Sequence, residues 1–315
     1  MASWKVAAPQ YGTEEEIQAL VVHNGSIYAG TYGTGLLLKW DGASAWELAA
    51  AAIPGETQVT ALVVYNSKLY GVIGTGLYEW DGVSAWVQKA GVLNGQYPIS
   101  LIVYDGHLYA GTQTGGRLFR WNDSDAWEQV AGALDSQTAI VCLCVYNSKL
   151  YGGTGPGGCL FEWNDSDAWV SKATKNADDR FIQSLLVFNS KLYAGTYRVT
   201  SGGGTLLKWN DSNAWVQVAP KLAEVGIEFL VEYQNQIWAG TYSSAKLYCW
   251  NGTDAWVEMM AQYGSQYGIY CLLVNDEVLY AGTAGTLATE SSSLLIYSTS
   301  DQSVRTDAVS GVTVG

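Results

Sequence analysis

The chain has 315 residues, of which 48% are apolar and only 14% are charged, so it has ample material for a large hydrophobic core. Its net charge is −13 at pH 7 and its pI is near 4.5, a field that repels phosphate backbones and argues against nucleic acid as a partner. No apolar run is long enough to cross a bilayer, so we expect no membrane insertion.

The chain begins Met-Ala-Ser-Trp-Lys, which lacks the apolar core of a signal peptide. This start predicts cytoplasmic synthesis, with a virion component or a non-classically exported protein as alternatives. The five cysteines do not recur at one position in most repeats. Cys142 and Cys271 share a position where other repeats carry Ala or Ser, so they are predicted to be buried small residues and not part of a disulfide framework.

The first repeat shows its elements in order. Residues 18–23 are a short apolar run, Asn24-Gly25 is a hairpin-turn signal, and residues 27–31 form a second strand. Residues 36–40 and 45–48 follow as third and fourth strands on either side of Asp41-Gly42. Four short strands joined by turns predict one up-and-down blade. The continuously apolar first strand is predicted to lie innermost, since both its faces are buried.

A Tyr-Ala-Gly tripeptide or a near copy recurs along the chain at a nearly constant interval. Its copies begin at Tyr28, Tyr70, Tyr109, Tyr151, Tyr193, Trp238 and Tyr280. We call this residue the anchor. A period of about 40–45 residues with short strands is typical of propeller blades. The sequence therefore predicts an all-β fold, a seven-bladed β-propeller of four-stranded antiparallel blades in a single domain over residues 1–315.

Closure of the ring is predicted from the tryptophan spacing. The third and fourth strands of most repeats carry two Trp at a fixed spacing, and the second of them precedes the next anchor by a nearly constant distance. Trp4 precedes Tyr28 by this same distance, whereas the last repeat has Ser303 where its second Trp is expected. Residues of about 3–8 should therefore complete the C-terminal blade of about 268–299, which removes two sheet edges. Residues 300–315 are predicted to be a tail or an extra strand.

The two faces of the disc differ. The hairpin face carries the turns within strand pairs one–two and three–four, which are nearly uniform among repeats. The loop face carries the connections between strands two and three and between successive blades, which vary in length and are rich in acidic and aromatic residues. Because binding sites are often built from loops on a rigid scaffold, we predict that the loop face binds the ligand. The predicted contacts are Tyr32, Tyr97, Tyr197, Tyr242, Tyr263 and Tyr267, with Glu56, Asp179 and Arg180 as polar partners. The alternative is tolerated loop drift with ordinary packing aromatics.

Catalysis is not predicted. The arginines fall at unrelated blade positions, the two histidines lie near first-hairpin turns, and no phosphate-binding loop is present. We therefore expect no cofactor and no metal. A pair of acidic loop residues acting as in glycosidases is a third alternative. The repeated turn at residues 121–127 is interpreted as structural, its Asn and Asp capping the turn, with weak multivalent sugar or cation binding as its alternative.

The stretches Leu108-Tyr-Ala-Gly-Thr and Leu192-Tyr-Ala-Gly-Thr, followed by Gly…Leu-x-x-Trp and then Ala-Trp-Val, resemble the repeats of bacterial and viral lectin-type, Asp-box-like and tachylectin-like propellers. The resemblance spans Trp4 to Tyr297, and the Trp-Asp and Gly-His signature of WD40 repeats is missing. It implies non-catalytic recognition with glycans as the favoured ligands. The alternatives are a protein–protein interaction scaffold and a structural or receptor-binding domain of a phage or larger assembly.

Overall fold

The computed structural model describes residues 3–91, 93, 95–134, 137–174, 180–198, 203–285 and 292–298. Within these ranges the regular elements are β-strands, and none of the described residues forms a helix that could cross a membrane. The five cysteines are free thiols. Residues 300–315, predicted to be a tail or an extra strand, lie outside the described residues.

The strands follow one another as four-stranded antiparallel units, as predicted for the blades. Strand β1 (Ser3–Ala8) precedes unit 1, which contains β2 (Glu16–His23), β3 (Ser26–Tyr32), β4 (Leu37–Trp40) and β5 (Trp46–Ala50). Unit 2 contains β6 (Val59–Tyr65), β7 (Lys68–Ile73), β8 (Gly76–Trp80) and β9 (Trp86–Ala90). Unit 3 contains β10 (Pro98–Tyr104), β11 (His107–Thr112), β12 (Leu118–Trp121) and β13 (Trp127–Ala131).

The later units repeat the same order. Unit 4 contains β14 (Ala139–Tyr146), β15 (Lys149–Gly155), β16 (Leu160–Trp163) and β17 (Trp169–Ala173). Unit 5 contains β18 (Phe181–Phe188), β19 (Lys191–Tyr197), β20 (Leu206–Trp209) and β21 (Trp215–Gln217). Unit 6 contains β22 (Gly226–Tyr233), β23 (Gln236–Tyr242), β24 (Leu247–Trp250) and β25 (Trp256–Met260). Unit 7 contains β26 (Gly268–Asn275), β27 (Val278–Ala284) and β28 (Leu294–Ser298).

The N-terminal strand takes the fourth place in unit 7. Strand β1 pairs antiparallel with β28, with Trp4 opposite Tyr297. The first strands of successive units contact one another, and β26 of unit 7 contacts β2 of unit 1. The first and last described strands therefore meet in one sheet, although they come from opposite ends of the sequence.

A β-bulge lies at the same place in every first strand. The pairing of the first and second strands skips one residue, and the skipped residues are Gln18, Thr60, Ile99, Val141, Gln183, Glu228 and Tyr270. A bulge bends the strand and turns a side chain away from the regular alternation. It therefore gives each unit one first-strand residue whose side chain is free to differ from its neighbours.

Adjacent units are joined by an aromatic contact that involves the anchor. The anchor ring packs against a ring from the third strand of the next unit, as in Tyr70 with Trp121 at 5.3 Å between ring centroids. The same contact joins Tyr280 of unit 7 to Trp40 of unit 1 at 5.5 Å. In unit 7 the third-strand ring is Tyr297, 4.9 Å from Trp238. Such ring pairs add about 0.5–1.5 kcal/mol beyond the area that they bury.

Among the described residues, three junctions between units carry an additional hydrogen bond, which we call the latch. The hydroxyl of the last tyrosine of one first strand donates to an aspartate in the three–four turn of the next unit, at 2.7 to 2.8 Å. The latch pairs are Tyr65 with Asp123, Tyr104 with Asp165 and Tyr146 with Asp211. At three other junctions both latch residues are replaced together. The pair at the Tyr and Asp positions is His23 and Gly82, Phe188 and Gly252, or Asn275 and Gly42.

The same turns cap their own backbone. Asn122 Oδ1 accepts the backbone N–H groups of Ser124, Asp125 and Ala126 at 3.0 to 3.1 Å. Asp41 does the same in unit 1. The turn residues are therefore engaged in capping and in latches, which favours their structural interpretation.

It should be possible to introduce a latch at a junction that lacks one. Tyr146→Phe should lower the free energy of unfolding by about 1–2 kcal/mol, because the phenol loses its bond to Asp211. Phe188→Tyr combined with Gly252→Asp should be more stable than the sum of the single changes by about 0.5–1 kcal/mol. Urea denaturation of the wild type, the two single variants and the double variant measures this coupling. Additive single effects would show that the Tyr–Asp bond does not stabilise the junction.

Candidate binding site on the loop face

Five aromatic side chains from units 5, 6 and 7 form a continuous surface, which we call the tyrosine arc. Their successive centroid distances are 5.9 Å from Phe181 to Tyr197, 5.6 Å from Tyr197 to Tyr242 and 5.7 Å from Tyr242 to Tyr267. Tyr270 lies 6.3 Å from both Tyr242 and Tyr267. All five side chains are partly exposed. Interblade packing would bury such rings, so their exposure leaves a surface suited to stacking a ligand.

Two glycines allow the rings to lie close to the sheet. Tyr197, at the end of β19, pairs with Gly226 of unit 6, and Tyr242, at the end of β23, pairs with Gly268 of unit 7. A Cβ at Gly226 would lie 2.6 Å from the Tyr197 ring, and one at Gly268 would lie 2.7 Å from the Tyr270 ring. Other units have larger residues at this position, among them Gln58 and Ala139. The arc therefore depends on glycines that only units 6 and 7 provide.

Carboxylates and amides border the arc. The Tyr267 hydroxyl donates to Glu16 Oε1 at 2.6 Å, and Gln18 Nε2 donates to Glu16 Oε2 at 3.2 Å. Between the bulges of units 5 and 6, Gln183 Nε2 donates to Glu228 Oε2 at 2.7 Å. The hydrogen bond between Gln183 and Glu228 joins units 5 and 6, and the one between Tyr267 and Glu16 joins units 7 and 1. Hydrogen-bond acceptors thus lie beside aromatic faces on four neighbouring units.

The electrostatics of the site follow from burial. Burial, together with the nearby charge of Glu16, raises the pKa of Glu228 to about 7, although the Gln183 hydrogen bond acts in the opposite direction. Burial together with the charge of Glu16 also raises the pKa of the Tyr267 and Tyr270 hydroxyls. The tyrosines therefore stay neutral hydrogen-bond donors near pH 7, and Glu228 changes its charge in that range.

The predicted contact residues fall into different places. Tyr197, Tyr242 and Tyr267 belong to the arc, and Arg180 reaches its edge through a backbone N–H that donates to the Tyr197 carbonyl at 3.3 Å. Tyr32 is 36% exposed and makes no ring contact with another described residue. Tyr97 is 49% exposed in unit 3.

Two of the remaining predicted residues make other contacts, and one is not described. Tyr263 packs against the apolar core between units 6 and 7. Glu56 occupies the space beside Gly74, where a Cβ would collide with its carboxylate. Asp179 lies outside the described residues.

Several acidic and amide loop residues form hydrogen bonds that stabilise the loops of their own units. Glu14 accepts hydrogen bonds from the hydroxyls of Thr31 and Thr34. Gln137 Oε1 accepts from the Thr154 hydroxyl at 2.9 Å and from the Gly157 N–H at 2.8 Å. Glu224 also faces inward: its carboxylate accepts from the Tyr248 hydroxyl at 3.0 Å and pairs with Lys246 at 3.2 Å. All three precede their anchors by the same distance in sequence, so they fix the connection between the second and third strands in their units.

Sequence reasoning missed the rest of the site, namely Phe181, Tyr270, Glu16, Gln18, Gln183 and Glu228. For Gln183, Glu228 and Tyr270 the signal was present at the bulge position, where units 5, 6, 7 and 1 carry polar or aromatic residues while units 3 and 4 carry Ile99 and Val141. Without the pairing register, Gln183 and Tyr270 look like part of an apolar strand. Among the described residues no group of three His, Cys, Asp or Glu side chains is placed to hold a metal ion.

The hairpin face carries a second kind of concavity at equivalent junctions. A groove of about 1090 Å³ between units 7 and 1 contains Trp40, Asp41 and Tyr280. Its counterparts measure about 580 Å³ between units 3 and 4 and about 350 Å³ between units 5 and 6. Each groove contains an anchor ring and the third-strand Trp of the following unit. Their chemistry is therefore set by the repeat, whereas that of the arc is not.

No protein-family model matches the chain, and no curated protein matches it. Similarity is found among solved structures. YCF48 from Cyanidioschyzon merolae is 14% identical, with a TM-score of 0.69, over 93% of this chain and 98% of that one. Catalytically inactive virginiamycin B lyase from Staphylococcus aureus, solved with quinupristin, is 10% identical, with a TM-score of 0.69, over 95% of this chain and 100% of that one.

The WD40 β-propeller domain of Doa1 is also similar, at 12% identity and a TM-score of 0.67, over 96% of this chain and 98% of that domain. These likenesses show the β-propeller fold, as predicted. They include a WD40 propeller although the WD40 sequence signature is missing here, so the signature does not separate the folds. At such identities they show nothing about ligand or activity.

The raised pKa of Glu228 predicts a pH effect on stability. Folding disfavours its ionised form, so stability falls as pH rises from about 4.5, the ordinary glutamate value, through 7. Glu228→Gln removes this loss. The difference in Tm between variant and wild type should therefore be larger at pH 8 than at pH 5, by at least about 2 °C.

Thermal unfolding at the two pH values measures this difference. Glu232→Gln is the matched control, because Glu232 lies on the same strand but is exposed. The change in Tm difference that Glu228→Gln shows between the two pH values should exceed the change that Glu232→Gln shows. An equal difference for Glu228→Gln would mean that Glu228 titrates as an ordinary surface carboxylate.

Proposed function

We propose that this chain is a non-catalytic recognition module that binds glycans at the tyrosine arc. The observation that carries the proposal is the arrangement of five partly exposed rings beside the carboxylates and amides of Glu16, Gln18, Gln183 and Glu228. Aromatic faces stack on the apolar faces of sugar rings, and carboxylates and amides accept hydrogen bonds from hydroxyls. Both kinds of group lie together here.

We further propose that the units form a seven-bladed ring in one domain, closed by β1. The pairing of β1 with β28, the contact of β26 with β2 and the ring contact of Tyr280 with Trp40 all support this closure. A closed ring fixes the relative positions of units 5, 6, 7 and 1. It would therefore preorganise an arc whose bordering residues come from both ends of the sequence.

A second candidate function is the binding of a protein segment. One of the similar structures is YCF48 bound to D1 peptide, 15% identical to this chain, with a TM-score of 0.67. The arc is a contiguous patch made by unlike loops, which is the form expected of a protein-interaction surface. The repeated grooves of the hairpin face have instead the form expected of weak, equivalent sugar sites.

Removal of one arc ring should weaken binding. On a glycan array the purified protein should bind a defined set of glycans, and Tyr242→Ala should lower its affinity for them about tenfold, since it removes a central stacking face. Tyr97→Ala is the control, because Tyr97 is an exposed tyrosine of unit 3, which contributes no residue to the arc. It should leave the affinity unchanged.

Three results would redirect the assignment. Binding to no glycan at high protein concentration would contradict the proposal and favour a protein partner. Equal loss in both tyrosine variants would place the site elsewhere on the loop face. Release of shortened sugars from a bound glycan would indicate a glycosidase, with the Glu16 and Glu228 carboxyls as its acid–base pair.

A further inference from the structure

The inner edge of the tyrosine arc has an excess of hydrogen-bond acceptors. Glu16 accepts bonds on both oxygens, and Glu228 accepts one on Oε2 from Gln183. Gln18 Oε1 is buried and has no hydrogen-bond partner among the described residues. Acceptors at this edge therefore outnumber the donors that the described residues supply to it.

The charge at this edge is negative. The ion pairs formed among the described residues include neither Glu16 nor Glu228. The groups that influence Glu228 are Gln183 from β18 and Glu16 from β2, and Glu228 in turn influences the Tyr197 and Tyr270 hydroxyls. Two carboxylates thus lie near each other, and the donors described above for them are neutral. A bound cation would relieve their repulsion.

The rings that border these carboxylates add a second attraction for a cation. The faces of tyrosine rings attract ammonium groups within about 6 Å, and the attraction is larger where water is displaced. Tyr267 donates to Glu16 at 2.6 Å, so ring and carboxylate are held side by side. The chain's net charge of −13 would also increase the rate at which cationic ligands arrive.

We propose that the inner edge of the tyrosine arc, at Glu16 and Glu228, binds a positively charged amino group on a glycan, as an amino sugar carries. This inference rests on the proposed glycan-binding function and specifies its ligand class. The sugar rings stack on the arc, and the positive charge of the amino group lies beside the Glu228 carboxylate and the tyrosine faces. A neutral glycan can use the stacking faces and the hydroxyl contacts, but it gains nothing from the negative charge of the site.

Two matched oligomers test the charge requirement. Oligomers of N-acetylglucosamine are neutral, whereas N-trimethylated glucosamine oligomers of the same length carry a permanent positive charge. In calorimetric titrations at pH 8, the wild type should bind the trimethylated oligomer at least about tenfold more tightly. Glu228→Gln should remove most of this preference, because its affinity for the trimethylated oligomer should fall much more than its affinity for the N-acetylated one. Glu232→Gln, which loses the same charge at an exposed position on β22, should keep the preference.

The pH dependence provides a second readout. At pH 5.5 the wild type should lose much of its preference for the charged oligomer, because Glu228 is then largely protonated. Glu228→Gln should show no such change. Since the charge of the trimethylated oligomer does not vary with pH, a difference between the two proteins must come from Glu228.

The outcomes separate the inference from the function on which it rests. Equal binding of both oligomers by the wild type would overturn the cation inference and leave the glycan-binding function intact. Binding of neither oligomer, together with binding of an oligolysine peptide of matched charge that Glu228→Gln abolishes, would overturn the glycan function and indicate a basic peptide ligand. An equal loss of preference in Glu228→Gln and Glu232→Gln would attribute it to the overall charge of the protein.

Discussion

Each unit is held to the next by the contact between its anchor ring and an aromatic ring on the following unit's third strand. The contact joins Tyr28 to Trp80 at a centroid distance of 5.0 Å and recurs as far as Tyr280 with Trp40, at 5.5 Å. It fixes how far one unit is displaced from the next, and so it places the first strands side by side. The bulges and the arc both inherit their positions from this spacing. The anchor motif is therefore repeated along the chain for packing, and its regularity carries no ligand specificity.

The site arises where units stop following the repeat. The second strand ends in Tyr197 and Tyr242 in units 5 and 6, but in Ile73 and Gly155 in units 2 and 4. The bulge position shows the same contrast, with Glu228 in unit 6 and Val141 in unit 4. A regular scaffold thus presents one chemically distinct sector. The grooves of the hairpin face show the opposite case, because the repeat itself builds them at several junctions.

The period and turn chemistry were enough to predict the four-stranded units, because strands, hairpin turns and tryptophan spacing are local features of the sequence. Tyr197, Tyr242 and Tyr267 could be predicted as contacts because each lies at a loop, and the structure places the three rings together. Glu228 was missed, since a bulge becomes visible only when two strands are aligned. Glu14 looked like an exposed acidic loop residue, yet it binds loop hydroxyls and is buried. The latches could have been predicted from the sequence, because Tyr and Asp are replaced together at the junctions that lack a latch.

The latches and the arc occupy different sectors of the molecule. Latches close the junctions between units 2 and 3, 3 and 4, and 4 and 5, whereas the arc extends across units 5, 6 and 7 to Glu16 of unit 1. The junctions beneath the arc include those where Gly252 and Gly42 stand in place of the aspartate. Among the described residues, one sector of the molecule is thus braced by these hydrogen bonds, whereas the junctions of unit 5 with unit 6 and of unit 7 with unit 1 rely on ring packing. Slow amide exchange should concentrate in the braced sector, and small opening motions would cost least in the sector that contains the proposed binding site.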